Sequence, residues 1–149
     1  PVLDVQLSRR NLSMASTLKL EIVTPEAKTY SDDVDMVTLP GTEGEMGIYP
    51  MHVPLMTQIV AGEVMIRKDG RDQFFAVGDG FVEITGAKVA ILTDMAIKAD
   101  DIDETKAEAA RQAAEARLRE KLSDEETATV EAALSHSMAL IQVKRRHRK

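Results

Sequence analysis

Residues 99–126 read ADDIDETKAEAARQAAEARLREKLSDEE, and the fold turns on this stretch. From Asp103 to Leu122 it holds no proline or glycine and is rich in alanine, the residue most favourable to helix. Asp103 is a suitable N-cap, because its carboxylate can accept from the free backbone N–H groups of a first helical turn. Ala107, Ala110, Ala114 and Leu118 then share one face. A second start follows at Ser123-Asp124-Glu125-Glu126, a capping box in which Glu126 reaches back to the cap. Beyond it, Thr127, Val130, Leu134, Met138 and Ile141 form a stripe at helical spacing. Two amphipathic helices joined by a short turn must fold back on each other, so an antiparallel α-helical hairpin is predicted over residues 101–149. Its contact sets alanine against Val, Leu and Met. A buried alanine contributes less than about 1 kcal/mol, against roughly 1.5–3 kcal/mol for a large aliphatic side chain. The hairpin is therefore expected to be marginal alone and a candidate for movement.

Upstream of this stretch the period is two. Leu18, Leu20 and Ile22 alternate with Lys19 and Glu21, Val64 and Ile66 with Met65 and Arg67, and Val82 and Ile84 with Glu83 and Thr85. Turn signals separate the runs at Lys68-Asp69-Gly70, Gly78-Asp79-Gly80 and Gly86, and both Asp-Gly pairs read as ordinary hairpin turns. Strands are predicted near 18–23, 33–39, 55–60, 63–68, 73–77, 81–85 and 88–93. The fold class is thus α+β: an antiparallel β-sandwich, or flattened barrel, over residues 17–100, then the helical hairpin. The boundary near Ala99–Ile102 is short and acidic and serves as a hinge. Residues 1–16 are expected to form a disordered extension; Met14 opens MASTLKLEIVTP, which looks more like a natural beginning, and the start lacks the apolar centre of a signal peptide.

Composition narrows the function. The chain has no cysteine, which excludes a disulfide framework, a thiol nucleophile and a Cys-ligated metal, and which fits a reducing cytoplasm. No run of eighteen apolar residues is present to span a membrane as a helix. The net charge of −6 is uneven. The last six residues, Lys144-Arg145-Arg146-His147-Arg148-Lys149, carry five of the 19 Lys and Arg, which leaves 14 positive against 25 negative side chains and a net of −11 elsewhere. An acidic body with a basic tip needs an explanation. A solvated helix end favoured by the helix dipole is one. A docking site for an acidic protein surface is another. Nucleic acid is the least favoured, because the body is acidic and no aromatic side chain lies in the tail to stack on bases.

Residues 40–59, PGTEGEMGIYPMHVPLMTQI, form a loop with a defined shape, since Gly41, Gly44 and Gly47 widen the backbone choices and Pro40, Pro50 and Pro54 narrow them. Its mix of apolar side chains with Glu43 and Glu45 suits docking better than chemistry. No catalytic constellation is present: the sequence has no GxSxG elbow, Walker-type phosphate loop or HExxH. His52, His136 and His147 lie in a loop, a helix and the tail, and no pair has metal-ligand spacing. Asp32, Asp33 and Asp35 lack the EF-hand pattern and read as a solvated edge strand.

The ordered set of motifs resembles the epsilon subunit of the bacterial F-type ATP synthase over about residues 17–146. It comprises the loop GxxGxxGIYPxHxPL (Gly41 to Leu55), the segment Gly78-Asp79-Gly80-Phe81-Val82-Glu83, and Ile102-Asp103-Glu104-Thr105-Lys106-Ala107 at the start of the hairpin. The resemblance implies a non-catalytic rotor subunit, peripheral on the cytoplasmic side of the bacterial inner membrane and bound there only through its complex. Its partners would be the gamma subunit, the c-ring and the beta subunits, with no nucleic acid. Glu43, Gly44, Glu45 and His52 would contact the c-ring and gamma. The hairpin would either fold beside the sandwich or extend along gamma and block ATP hydrolysis. In the extended form Lys144, Arg145, Arg146, Arg148 and Lys149 would face acidic beta-subunit surface. No cofactor is implied beyond a weak regulatory ATP site at Ile102, Asp103, Lys106 and Ala107. There lysine stands where ATP-binding members have arginine, and loses the planar fork that grips phosphate. His136 and Leu140 stand at the positions of two further arginines. The competing readings are a free-standing β-sandwich adaptor outside the synthase and a nucleic-acid-binding protein using the tail.

Overall fold

The computed structural model describes residues 17–148, so the expectations for residues 1–16 and for Lys149 lie outside the described residues. Ten strands precede two helices. The strands are β1 (Leu18–Val23), β2 (Lys28–Val34), β3 (Met36–Gly41), β4 (Gly44–Ile48), β5 (Leu55–Ile59), β6 (Gly62–Lys68), β7 (Arg71–Val77), β8 (Gly80–Thr85), β9 (Lys88–Thr93) and β10 (Ala96–Lys98). A single 3₁₀ turn, Ala99–Asp101, leads to α1 (Glu104–Leu118) and α2 (Asp124–Arg146). Nine strands follow one another in the order β10-β7-β6-β3-β5-β8-β9-β1-β2, with β4 paired to β3. This is the expected sandwich, a nearly closed sheet wrapped on one core. Leu20, Ile22, Leu39, Ile66, Ile84 and Ile91 lie inside it, and each is almost wholly buried.

The sheet departs from the antiparallel expectation at one place: β1 and β9 are parallel, Leu20 opposite Val89 and Ile22 opposite Ile91. Period two reports which face a residue takes and not the direction of its neighbour. Three strands escaped the pattern. β2 is acidic and mostly exposed at the end of the sheet order, β4 carries two glycines, and β10 has three residues. Consequently half of the expected loop at 40–59 is a β3–β4 hairpin, closed where Gly41 pairs with Gly44, and the true loop is residues 49–54. The edge-strand acids have structural partners. Asp32 pairs with Lys68, which holds its carboxyl below the ordinary value, and Asp35 Oδ2 accepts from Asp69 N at 3.0 Å.

The two Asp-Gly signals part company. Asp69 and Gly70 have φ of 53° and 73°, the mirror-image turn that a two-residue hairpin requires, and they join β6 to β7. Asp79-Gly80 is no hairpin, because β7 pairs with β6 and β10 while β8 pairs with β5 and β9. Here the chain crosses between layers, and Asp79 Oδ1 accepts from Ala61 N at 2.9 Å.

Both helix starts form as predicted. Asp103 Oδ1 accepts from Lys106 N at 3.1 Å. Ser123 Oγ accepts from Glu126 N at 3.1 Å, and Glu126 Oε1 accepts from Ser123 N at 3.3 Å. The buried face of α1 is narrower than the predicted stripe, and that of α2 is broader and shifted. Ala107 and Ala114 are buried in α1 while Ala110 is exposed, and Met138 remains 44% exposed on α2, whose buried residues are Ser137, Ala139, Ile141 and Val143. The cause is tertiary: the C-terminal half of α2 faces the sandwich as well as α1, and a helix packed on two surfaces buries a broader arc than a stripe. A small second core of Ala76, Ala99, Ile102 and Val143, flanked by Phe74, Ile97 and Leu140, joins helices to sheet.

Candidate functional site: an apolar docking loop and a basic arm

The residues expected to dock lie on two adjoining elements. Glu43 and Gly44 occupy the β3–β4 turn, with Gly44 at φ 118°, and Glu45 sits opposite Pro40 on β4; all three are exposed. His52 lies in the following loop, where Nδ1 is 2.7 Å from its neighbour's carbonyl, Val53 O. Among the described residues no hydrogen bond or ion pair joins His52 to Glu43 or Glu45. The apolar side chains of the loop stand out instead: Tyr49, Met51 and Val53 are 60%, 79% and 72% exposed. Met51 holds φ at 69°, a conformation that side chains rarely adopt. Apolar groups displayed on a loop fixed by Pro50 and Pro54 are prepared to be covered by something else.

Sequence reasoning missed a second exposed set. Met56 on β5, Phe81 on β8 and Leu92 on β9 point outward from neighbouring strands, and Phe81 and Leu92 are cross-strand partners. Outward positions of a half-buried sheet are ordinarily polar, so large apolar groups at 81 and 92 were a legible signal.

Among the described residues, every basic side chain at the end of α2, Lys144 to Arg148, has a partner within the chain. Lys144 Nζ donates to Ala99 O at 3.2 Å. Arg145 Nε and Arg148 Nη2 reach the two carboxylate oxygens of Glu104, at 3.0 and 2.5 Å. Arg146 Nη1 lies 3.2 Å and His147 Nε2 2.5 Å from Glu63 on β6. The His147 ring also stacks on Phe74 of β7, with centroids 3.5 Å apart and planes 13° from parallel. Further along α2, His136 Nε2 is 3.0 Å from Asp94 Oδ1. Glu63, Phe74 and Asp94 were not foreseen. The run Phe74-Phe75-Ala76-Val77 lacks alternation, a sign of a strand covered on both faces, and that cover is the helical arm.

The residues of the expected nucleotide motif have structural employment. Ile102 and Ala107 are buried, the Asp103 carboxylate caps α1, and Lys106 is exposed. Glu104 and Glu108 lie close by and line, with Lys144 and Arg148, a shallow groove of 680 Å³. Arg111 bonds Glu108 and holds its carboxyl below the ordinary value, so it stays anionic. Both carboxylates are already paired with arginines, Glu104 with Arg145 and Arg148 and Glu108 with Arg111.

Family comparison accounts for nearly all of the described chain. Residues 17–99 match the family model "ATP synthase, Delta/Epsilon chain, beta-sandwich domain", and residues 100–145 match "ATP synthase, Delta/Epsilon chain, long alpha-helix domain". The chain belongs to the ATP synthase delta/epsilon family. It is 41% identical to the ATP synthase epsilon chain of Laribacter hongkongensis, over 83% of this chain and 90% of that one. With the epsilon chain of Chloroflexus aggregans the identity is 46%, over 88% and 94%. Among solved structures, a chain in the Euglena gracilis mitochondrial ATP synthase (OSCP/F1/c-ring, rotational state 1) shares the fold with a TM-score of 0.69 at 22% identity, covering 84% of this chain and 79% of that chain. Among the described residues of this delta/epsilon member, no helix is long and apolar enough to cross a membrane.

Proposed function

We propose that the chain is a non-catalytic central-stalk subunit of a rotary, proton-translocating ATP synthase, peripheral on the cytoplasmic face of the bacterial inner membrane. The sandwich transmits torque between the c-ring and gamma, and the helical arm restrains ATP hydrolysis by engaging the beta subunits. Support for the docking role comes from a rigid sheet that displays Tyr49, Met51 and Val53 on one loop and Met56, Phe81 and Leu92 on one face. The loop, with Glu43, Gly44, Glu45 and His52, meets the ring, and the sheet face meets gamma.

The observation that carries the regulatory half is the placement of Lys144, Arg145, Arg146 and Arg148 at one end of α2, every one on a polar partner at or near the surface. Such bonds are individually small and exchangeable. They add to the alanine-based contact between the two helices. ATP is at most a weak ligand in this reading, given the helix-capping role of Asp103 and the lysine at position 106.

The test is ATP hydrolysis by the assembled enzyme carrying the full chain or a truncation after Gln142, at low and high ionic strength. Truncation is expected to raise hydrolysis severalfold at low salt and to leave assembly intact. Salt screens the docked pairs as well as those with the beta subunits, so its effect on the full chain is the difference between the two sets. Equal rates with and without the tail at low salt would overturn the inhibitory role.

A further inference from the structure

The arm meets the sandwich through a small set of contacts, and their character is unequal. The apolar part is a small cluster: Val143 and Leu140 with Ala76, Ala99 and Ile102, flanked by Phe74 and Ile97. The polar contacts are His136 with Asp94, midway along α2, and a denser group at the C-terminal end of α2. Glu63 alone accepts from two successive side chains of the arm, Arg146 and His147, and is itself only 20% exposed. Phe74 supplies a flat apolar seat for the imidazole. The carbonyl of Ala99, in the 3₁₀ turn that links sandwich to arm, accepts from Lys144 and so ties the tip of the arm to its own hinge.

We infer that Glu63, Phe74 and the Ala99 carbonyl form a latch that holds the arm down by its tip. The inference rests on the regulatory reading above and adds a device to it. The latch draws on the basic side chains that the extended arm would offer to the beta subunits. Glu63 therefore competes with acidic partner surface for Arg146, and Glu104 for Arg145 and Arg148. Movement of the arm is an exchange of acidic partners and not a creation of new charge pairs. Two consequences follow. The helix cannot present its tip while Glu63 holds it. The balance between positions depends in part on one carboxylate on β6, far in sequence from the arm. The cavity beside His147 is also lined by Asp72, Lys98, Asp100 and Arg148, two charges of each sign.

Because the chain has no cysteine, a label pair can be introduced cleanly at Glu26→Cys, on an exposed sandwich turn, and Lys121→Cys, in the exposed turn between α1 and α2. Interlabel distances in the full chain then report docking directly. The wild type should show one dominant distance population. Glu63→Gln should raise the undocked fraction roughly fivefold, the size expected for losing a partly exposed charged partner. Arg146→Gln with His147→Gln should do the same from the other side, which keeps the test open should Glu63→Gln fold poorly. Glu63→Arg combined with Arg146→Glu should restore docking, an outcome that general loosening of the sandwich would not produce. Asp33→Asn, an exposed edge-strand change, should leave the distances alone. Unchanged distances in both latch variants would overturn the latch. Undocking by Glu63→Gln with no fall in ATP hydrolysis by the assembled enzyme would uphold the latch and sink the inhibitory reading instead.

Discussion

His136 Nε2 lies 3.0 Å from Asp94 Oδ1, and the two side chains meet directly over Gly78. A methyl group on Gly78 would overlap Asp94 Oδ1 and come within 2.8 Å of His136 Nε2. This glycine is there for space and not for a special backbone angle, since its φ lies outside the left-handed region. Gly78→Ala should force the carboxylate aside and separate arm from sandwich at this point. The pair is partly exposed, so the expected loss is about 0.5–1 kcal/mol in urea denaturation. Hydrogen exchange should rise along α2 and remain unchanged in β8 and β9. Protection lost equally in the sheet would mean that the glycine serves the sandwich alone.

Gly80 presents the opposite case. A Cβ there would overlap the Leu92 carbonyl oxygen and lie 2.9 Å from Thr93 Cα, both backbone atoms of the paired strand β9. A side chain can swing away but a strand cannot. Gly80→Ala should cost about 2–3 kcal/mol, more than Gly78→Ala, as overpacking against a fixed neighbour does. Thermal unfolding of the two variants side by side decides the order.

The capping box at Ser123 should make α2 sensitive to acid. The backbone N–H and hydroxyl of Ser123, with Arg117 nearby, hold the Glu126 carboxyl below its ordinary value. A carboxyl lowered on folding contributes stability above its unfolded value, and that contribution is lost as pH falls through the folded value. Helicity followed by circular dichroism from neutral pH downward should therefore fall below the ordinary carboxylate range, and Glu126→Gln should flatten that step. Ser123→Ala should cost about 1 kcal/mol at neutral pH. An identical acid profile for wild type and Glu126→Gln would place the sensitivity elsewhere.

Docking can be probed apart from folding. Glu45→Lys with His52→Ala should weaken retention of the chain on membranes or the coupling of proton pumping, and so should Phe81→Ser with Leu92→Ser on the outer sheet face. All four positions are at or near the surface, so melting temperatures of the isolated variants should stay close to wild type. Normal retention and pumping in both double variants would remove these residues from the interface.

Nucleotide affinity should be poor. Lys106 lacks the arginine fork, and His136 is committed to Asp94. Calorimetry of the full chain with ATP is expected to give a Kd weaker than about 10 μM, about −7 kcal/mol. A tighter value would show that the arm rearranges to build a site.

Much of this molecule is local and therefore legible in the chain itself. The caps at Asp103 and Ser123 depend on residues three apart, the turn at Asp69-Gly70 on two backbone angles, and the faces of β1, β6 and β8 on strict alternation. The motifs at 41–55, 78–83 and 102–107 carry the resemblance to the family, and each can be read from a run of at most fifteen residues. Other features were decided only when distant segments met. Period two is blind to strand direction, so the parallel pairing of β1 with β9 left no mark. Glycines at 78 and 80 look like turn residues until the atoms over them are seen. The partners of the basic tail lie 41 to 84 residues away, at Glu104, Ala99 and Glu63, and no spacing rule reaches that far. Composition alone established that the tip of the arm is positive and the body negative; the tertiary structure decided which carboxylates hold it, because charge attracts without regard to sequence and only packing brings the chosen pairs within reach.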